Sequence, residues 1–430
     1  MQRRSFFAAL GAPALASQTG FAQPAAAPRN GLAPQKIASM EFIRVEGRRK
    51  ALAGVNNQYQ TQPLHIYDEY RPRPYKDSDS PQERETATNA IYLSIKSADG
   101  LEGLYGPIDR EAATAADQQL RPYLIGKDAL SGETLWDQMH RSNRHSRRGI
   151  YMMAISAVDN ALWDLRGRFF GVPVYRLLGG PTRASVEAYG SCLGYSVDPP
   201  LAGKRAAQLK DLGYRHQKWF LAYGPGDGAE GLEKNVQLVQ ALRESVGPNV
   251  DLMFDAYSGW NLDYALAWAK RVEQYNPRWI EEAFHPEKIE SFVELRKKTS
   301  IPVASGEHFY GRWEVHDYLR AGAISVVQAD PEWCGGVSEL VKICAVSSLF
   351  DAQVIPHGHG VHASLHVVAS QSPMTCPWIE YLINKMSSYH HFEKNDYHVV
   401  NGRVTLPDRP GFGIELDPAK VEKRTVVKWT

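Results

Sequence analysis

The sequence predicts an α/β protein in which a parallel (β/α) barrel is joined to an α+β domain. Three observations carry this. Eight short apolar segments recur about every 25 residues, helical stretches separate them, and several of the segments end in an ionisable residue. The segments are Val186–Cys192, Tyr214–Phe220, Asp251–Tyr257, Trp279–Ala283, Pro302–Glu307, Val326–Pro331, Val354–His359 and Trp378–Leu382. A doubly wound open sheet has the same rhythm, but no G-x-G-x-x-G follows the first strand.

Residues 1–27 are of a different kind. Arg3-Arg4 precedes a small-residue apolar stretch, Ala8 to Ala16, and an Ala/Pro-rich exit. This pattern predicts a twin-arginine leader, cleaved near Ala22 or a few residues later, and a periplasmic destination. Residues 28–180 are expected to form the α+β domain. Residues 36–60 and 88–105 alternate apolar and polar side chains as strands do. Between them, Pro63 to Tyr75 is aromatic, basic and broken by prolines, which predicts a loop with binding potential. From residue 110 the period becomes helical, and Ile155, Val158, Leu162 and Leu165 share one stripe. That helix is expected to stop at Gly171-Val172-Pro173, and the domain at Gly179-Gly180. The barrel occupies 181–390. Residues 391–430 return to short strands and turns at Asn401-Gly402 and Pro410-Gly411.

Composition narrows the function. With 49 basic and 48 acidic residues among 430, the formal charge of +1 offers no field for nucleic acid. Past the leader no apolar run approaches the roughly 20 residues of a membrane span. The four cysteines, Cys192, Cys334, Cys344 and Cys376, contain no CxxC pair, which excludes zinc ribbons and thioredoxin-like chemistry.

The ionisable strand ends are Asp255, Glu281, Glu307, Asp330, His357 and Glu380, at intervals of 26, 26, 23, 27 and 23 residues. One βα unit spans each interval, so all six are expected at equivalent heights around one mouth, where barrel active sites lie. Asp255, Glu281 and Glu307 would repel one another unless a cation joined them, and all-oxygen ligation suits Mg²⁺. Strand alternation sends the adjacent Glu282 to the outer face. Asp330 beside His357 is the arrangement a general base requires, with His359, on the same face, as the rival imidazole. On the second strand His216, Lys218 and Phe220 share a face. If that face is inward, Lys218 lies near His357, able to stabilise an enolate oxygen or hold a substrate carboxylate.

These residues resemble the enolase superfamily, in particular its mandelate racemase/muconate lactonizing enzyme-like group. The resemblance covers the helix Ser156–Gly167 running into Pro173 to Gly180, the acidic triad, the Asp330/His357 pair and the Glu380 strand. Tyr223-Gly224-Pro225-Gly226-Asp227-Gly228, Trp279-Ile280-Glu281-Glu282, Ser305-Gly306-Glu307-His308, Trp333-Cys334-Gly335-Gly336 and Pro410-Gly411-Phe412-Gly413 are similar to the acid-sugar dehydratase branch that includes L-rhamnonate dehydratase. The resemblance implies a modified (β/α)₇β TIM-like barrel whose mouth is closed by a cap built from both chain ends. It implies Mg²⁺ holding a sugar-acid or uronate-like carboxylate and stabilising the enediolate left by loss of the α-proton. His357, oriented by Asp330, would be the base and then the acid that expels the β-hydroxyl. Glu380, if protonated, would hydrogen-bond the carboxylate, and Tyr67, Arg71, Arg73 and His308 are candidates to contact substrate. Racemases of the group carry two lysines separated by one residue on the second strand. Here Lys218 matches the first and Phe220 replaces the second, which disfavours two-base racemisation. The reading is a dehydratase (a lyase), expected as a homo-oligomer. An epimerase or cycloisomerase using the same enolate is the rival enzyme, and an exported solute-binding protein on a retired scaffold the rival from another class.

Overall fold

The structure is a computed structural model that describes residues 33–52, 60–71, 83–394 and 397–429. The expected leader at 1–27 and Arg73 lie outside these residues. Two sheets organise the chain. In the first, the alternating segments form β1 (Ile37–Leu52) and β2 (Glu83–Ser97), paired antiparallel, with β3 (Glu102–Tyr105) beside β2. The region expected as one strand over 88–105 is thus a hairpin. Asp99-Gly100 turns the chain, and Gly100 takes the left-handed φ of 84° that a tight turn needs.

The second sheet is parallel throughout its main path. Its strands are β4 (Ser185–Ser191), β5 (His216–Phe220), β6 (Asp251–Asp255), β7 (Trp279–Glu281), β8 (Val303–Ser305), β9 (Val326–Val327), β10 (Gln353–Val354) and β11 (Trp378–Leu382). Six fall inside the segments predicted from the sequence, and β4 and β10 each begin one residue before theirs. Their order is β10-β9-β8-β7-β6-β5-β4-β11. The sheet curls until its ends meet: the Val354 amide donates to the Thr375 carbonyl at 2.7 Å, and the Gly358 amide to the Glu380 carboxylate at 2.9 Å. The tail adds β12 (Arg403–Thr405), antiparallel to β4, and β13 (Lys423–Val427), antiparallel to β1.

Strand period explains the barrel's interior. Tyr189, Met253, Trp279, Ala304, Val326 and Ile355 form a buried apolar plug, with Trp378 against it. Two residues further along, on the same face, stand Asp255, Glu281, His357 and Glu380. The plug closes the barrel below and leaves the ionisable layer open only upwards. Equal sequence spacing does not give equal height, however. Asp255 and Glu281 are in register, but Glu281 pairs with Ala304, so Glu307 stands beyond the end of β8. Asp330 likewise lies past the end of β9.

The Ile150–Phe170 helix ends at Gly171 in the left-handed conformation, as its sequence predicts. It is buried on nearly every side, because β3 packs on one flank and the Gly336–Ser348 helix on another. Asp164, fully buried, accepts from the amides of Leu104 and Phe412, each at 2.8 Å, and pairs with Arg168 at 2.6 Å. One carboxylate thus ties β3, the helix and the tail together. Asp164→Ala leaves two buried amides and a guanidinium without their acceptor and is expected to cost roughly 3–5 kcal/mol. Urea unfolding of the two proteins measures it, and a loss below 1 kcal/mol would contradict the role given to Asp164.

Candidate active site

Strands β6 and β7 deliver Asp255 and Glu281 side by side, and the turn at Gly306 (φ 129°) redirects Glu307 over them. One oxygen from each of the three lies within 4.8 Å of the others. Oxygens so placed can share one ion at the roughly 2.1 Å typical of Mg²⁺. The Tyr257 amide fixes Asp255 at 2.8 Å, and the Trp279 indole fixes Glu281 at 2.9 Å. All three carboxylates are buried. Burial pushes Asp255 up to about 7, Glu281 to about 8 and Glu307 to about 7, and neighbouring carboxylates add to the effect, Glu282 on Asp255 and Glu307 and Glu380 on Glu281 among them. A donor set that resists carrying its own charge fits a divalent cation, which repays that desolvation.

Lys218 does face inward, but it is held among carboxylates and not against His357. Its ammonium pairs with Glu281, with Glu380 at 2.9 Å and with Asp255 at 3.3 Å. Burial opposes its charge, but Glu281 and Glu380 outweigh that and raise it well above the usual lysine value. The same pairing corrects the expectation for Glu380. Burial would protonate it, yet Lys218 and then His357 hold it at about 2, so it is ionised and accepts from the Gly358 amide.

His357 Nδ1 lies 2.7 Å from Asp330, and its Nε2 lies 3.6 Å from Glu307, on the side of the triad. The Asp330 segment is anchored from the cap helix. Asn160 donates to the Pro331 carbonyl at 3.0 Å and accepts from Val337, Ser156 accepts from Gly335 at 2.8 Å, and Asp159 accepts from Ser338 at 2.9 Å. Gly336 permits this approach, since a Cβ there would sit 2.4 Å from Asp159.

Two further acid–imidazole pairs adjoin the first. His359 meets Glu332 at 2.5 Å, and the Tyr389 and Tyr105 hydroxyls donate to the same carboxylate at 3.0 and 3.1 Å. Burial opposes its ionisation, but His359 holds Glu332 at about 2. The Trp333 ring lies 4.9 Å from His357 and 5.0 Å from His359. Glu282 is the second correction. It does not point outward: the chain turns there through a φ of 42°, and the buried carboxylate takes His308 at 3.0 Å. Burial would keep His308 neutral, but its bond to Glu282 raises it to about 9. Alternation could not show this, because it stops at the strand end.

A cleft of about 460 Å³ opens beside these groups, lined by Tyr257, Glu282, His308, Pro63 and Arg148 among others. Of the candidates for substrate contact, His308 lines it. Tyr67 is exposed and packs edge-on against Tyr70, while Arg71 pairs with Asp68 at 2.8 Å and donates to the His65 carbonyl at 2.9 Å. Neither lines the cleft. Arg148, which was not among those candidates, does line it, and the adjacent arginines Arg147-Arg148 are the signal that could have pointed to it.

Two family models match. Residues 67–179 fit the mandelate racemase/muconate lactonizing enzyme N-terminal domain, and residues 202–420 the enolase C-terminal domain-like family. An L-rhamnonate dehydratase of Saccharopolyspora erythraea is 33% identical over 78% of this chain and 84% of its own length. A D-galactarolactone cycloisomerase of Agrobacterium fabrum is 32% identical over 76% and 89%. A crystal structure of rhamnonate dehydratase from Gibberella zeae complexed with Mg superposes with a TM-score of 0.76 at 26% identity, covering 90% of this chain and 95% of that one.

The raised carboxylates set a pH dependence. In the folded, metal-free chain Asp255, Glu281 and Glu307 keep protons until about pH 7 to 8, whereas the unfolded chain releases them near pH 4. Metal-free stability therefore falls as pH rises through that window, and cation affinity rises because binding displaces the protons. Calorimetric Mg²⁺ titration between about pH 6 and pH 8.5 is expected to show proton release and tightening affinity. Affinity independent of pH would remove these carboxylates as the ligands.

Proposed function

Since the chain belongs to the mandelate racemase/muconate lactonizing enzyme group of the enolase superfamily, we propose that it is an Mg²⁺-dependent hydro-lyase acting on a sugar acid. Asp255, Glu281 and Glu307 would hold the cation, which when bound supplies positive charge beside the substrate carboxylate. The observation that carries the reading is the His357–Asp330 dyad, whose Nε2 faces the acidic triad, together with Phe220 two residues after Lys218, where a second lysine would supply another base.

The dyad performs both proton transfers. Asp330 accepts from Nδ1–H and fixes the tautomer, leaving the Nε2 lone pair towards the mouth. His357 Nε2 takes the α-proton, and the electron pair left behind spreads onto the carboxylate. The β-carbon–oxygen bond then breaks as that pair forms the double bond, and the departing hydroxide takes the proton from His357 and leaves as water. The enol tautomerises to a 2-keto-3-deoxy acid. Lys218 compensates Asp255, Glu281 and Glu380, so its role is to hold the ring of carboxylates in place. His308, kept cationic by Glu282, donates to a substrate oxygen. The relative named as a cycloisomerase favours one alternative, in which the same proton abstraction ends in ring closure or epimerisation. The Arg3-Arg4 leader supports work in the periplasm.

His357→Asn is expected to lower turnover by roughly 10²–10⁴ with the fold intact. EDTA is expected to abolish activity and Mg²⁺ to restore it. In D₂O the reaction is expected to yield a 2-keto product. Deuterium at the α-carbon of recovered, isomerised substrate without that product would replace the lyase by the isomerase.

A further inference from the structure

The cleft lined by Glu282 and His308 does not end there. Through Arg148, Pro286, Glu287, Tyr310 and Glu314 it runs on into a second hollow of about 580 Å³. Each of the two falls within the roughly 300–1,000 Å³ that holds a small-molecule ligand. A single open-chain sugar acid occupies only the first.

The second hollow has its own built wall. Trp313 is 48% exposed, and its ring is fixed beforehand: His140 stacks at 5.1 Å and 15°, Trp136 lies 6.4 Å away, and the Arg312 guanidinium is 4.3 Å from its centre. Burial, then the neighbouring Arg147, keeps His140 neutral, and its Nε2 is buried without a hydrogen-bond partner. The polar lining carries both signs. Arg147 and Arg148 face Glu287, Glu314 and Asp317, and Arg148 already pairs with Glu314 at 3.5 Å. This balance does not suit a second anion. The exposed part of the Trp313 indole, beside guanidinium donors and carboxylate acceptors, suits a sugar ring whose C–H groups pack against it while its hydroxyls pair around the rim.

We propose that the hollow beside Trp313 is a subsite for a neutral glycosyl unit attached to the sugar acid, so that the substrate is a glycosylated aldonic acid. This rests on the dehydratase reading for the acid end. The acid lies at the triad and His357. The chain of the substrate leaves past His308 and Arg148, and the glycosyl ring sits against Trp313.

The test compares gluconate with cellobionate, maltobionate and lactobionate, which are gluconates carrying a glucosyl or galactosyl group, on the Mg²⁺-loaded full chain. At least one disaccharide acid is expected to have a KM about tenfold or more below that of gluconate. Trp313→Ala should raise that KM about tenfold, leaving kcat and the gluconate KM unchanged, with Trp313→Phe in between. Calorimetry of the same acids reads binding independently of turnover. If gluconate is dehydrated while no disaccharide acid binds or reacts, the subsite is wrong and the chemistry stands. Binding of a disaccharide acid unaffected by Trp313→Ala also overturns it. If disaccharide acids bind through Trp313 but no acid is turned over, the subsite stands and the dehydratase reading falls.

Discussion

Charge buried at the barrel mouth constrains everything around it. Asp255, Glu281, Glu307 and Glu380 converge above an apolar plug, and among the described residues the ammonium of Lys218 is the lysine placed among them. One cation cannot neutralise four buried carboxylates. The structure responds by holding Glu380 ionised against Lys218 and raising the other three towards neutrality. A divalent ion would relieve that conflict. The aromatic rings of Tyr189 and Phe220, 5.7 and 5.4 Å from the ammonium, complete its surroundings without adding charge. A lysine in place of Phe220 would add a second cation there, and with it a second base. The residue that removes the racemase's proton carrier is thus also part of the electrostatic balance of the mouth.

The barrel was legible because its repeat is long and regular. All eight strands lie where apolar segments recur, and the three clustered carboxylates were visible as a progression from Asp255 to Glu307. What the progression concealed was height. Register depends on backbone pairing, which the sequence does not print, so Glu307 stands above Asp255 and Glu281 rather than level with them. Where the chain leaves a strand, alternation loses its authority altogether. Glu282 turns inward at a positive φ, and Glu332 and His359 meet across two loops. Tyr67 and Arg71 lie apart from the cleft, and Arg71 is engaged with Asp68 and His65, an engagement that a basic aromatic loop does not announce in sequence.

The cap contributes more than a lid. A helix read from its apolar stripe as a packing element carries Ser156, Asp159 and Asn160 on its buried surface, where polar groups are costly unless paired. Each is paired with backbone of the segment 331–338, directly after Asp330. The Asp330–His357 pair therefore takes its position from two directions: β9 leads to Asp330, and the Ile150–Phe170 helix fixes the loop that follows it. A cap that docked loosely would leave these amides unsatisfied and let the Asp330–His357 distance drift. On the proposed reading the substrate's distal end would meet the cap and its acid end the barrel, two parts that these hydrogen bonds join. Specificity can then change in the cap segment around Arg148 while the dyad and the acidic triad stay where they are.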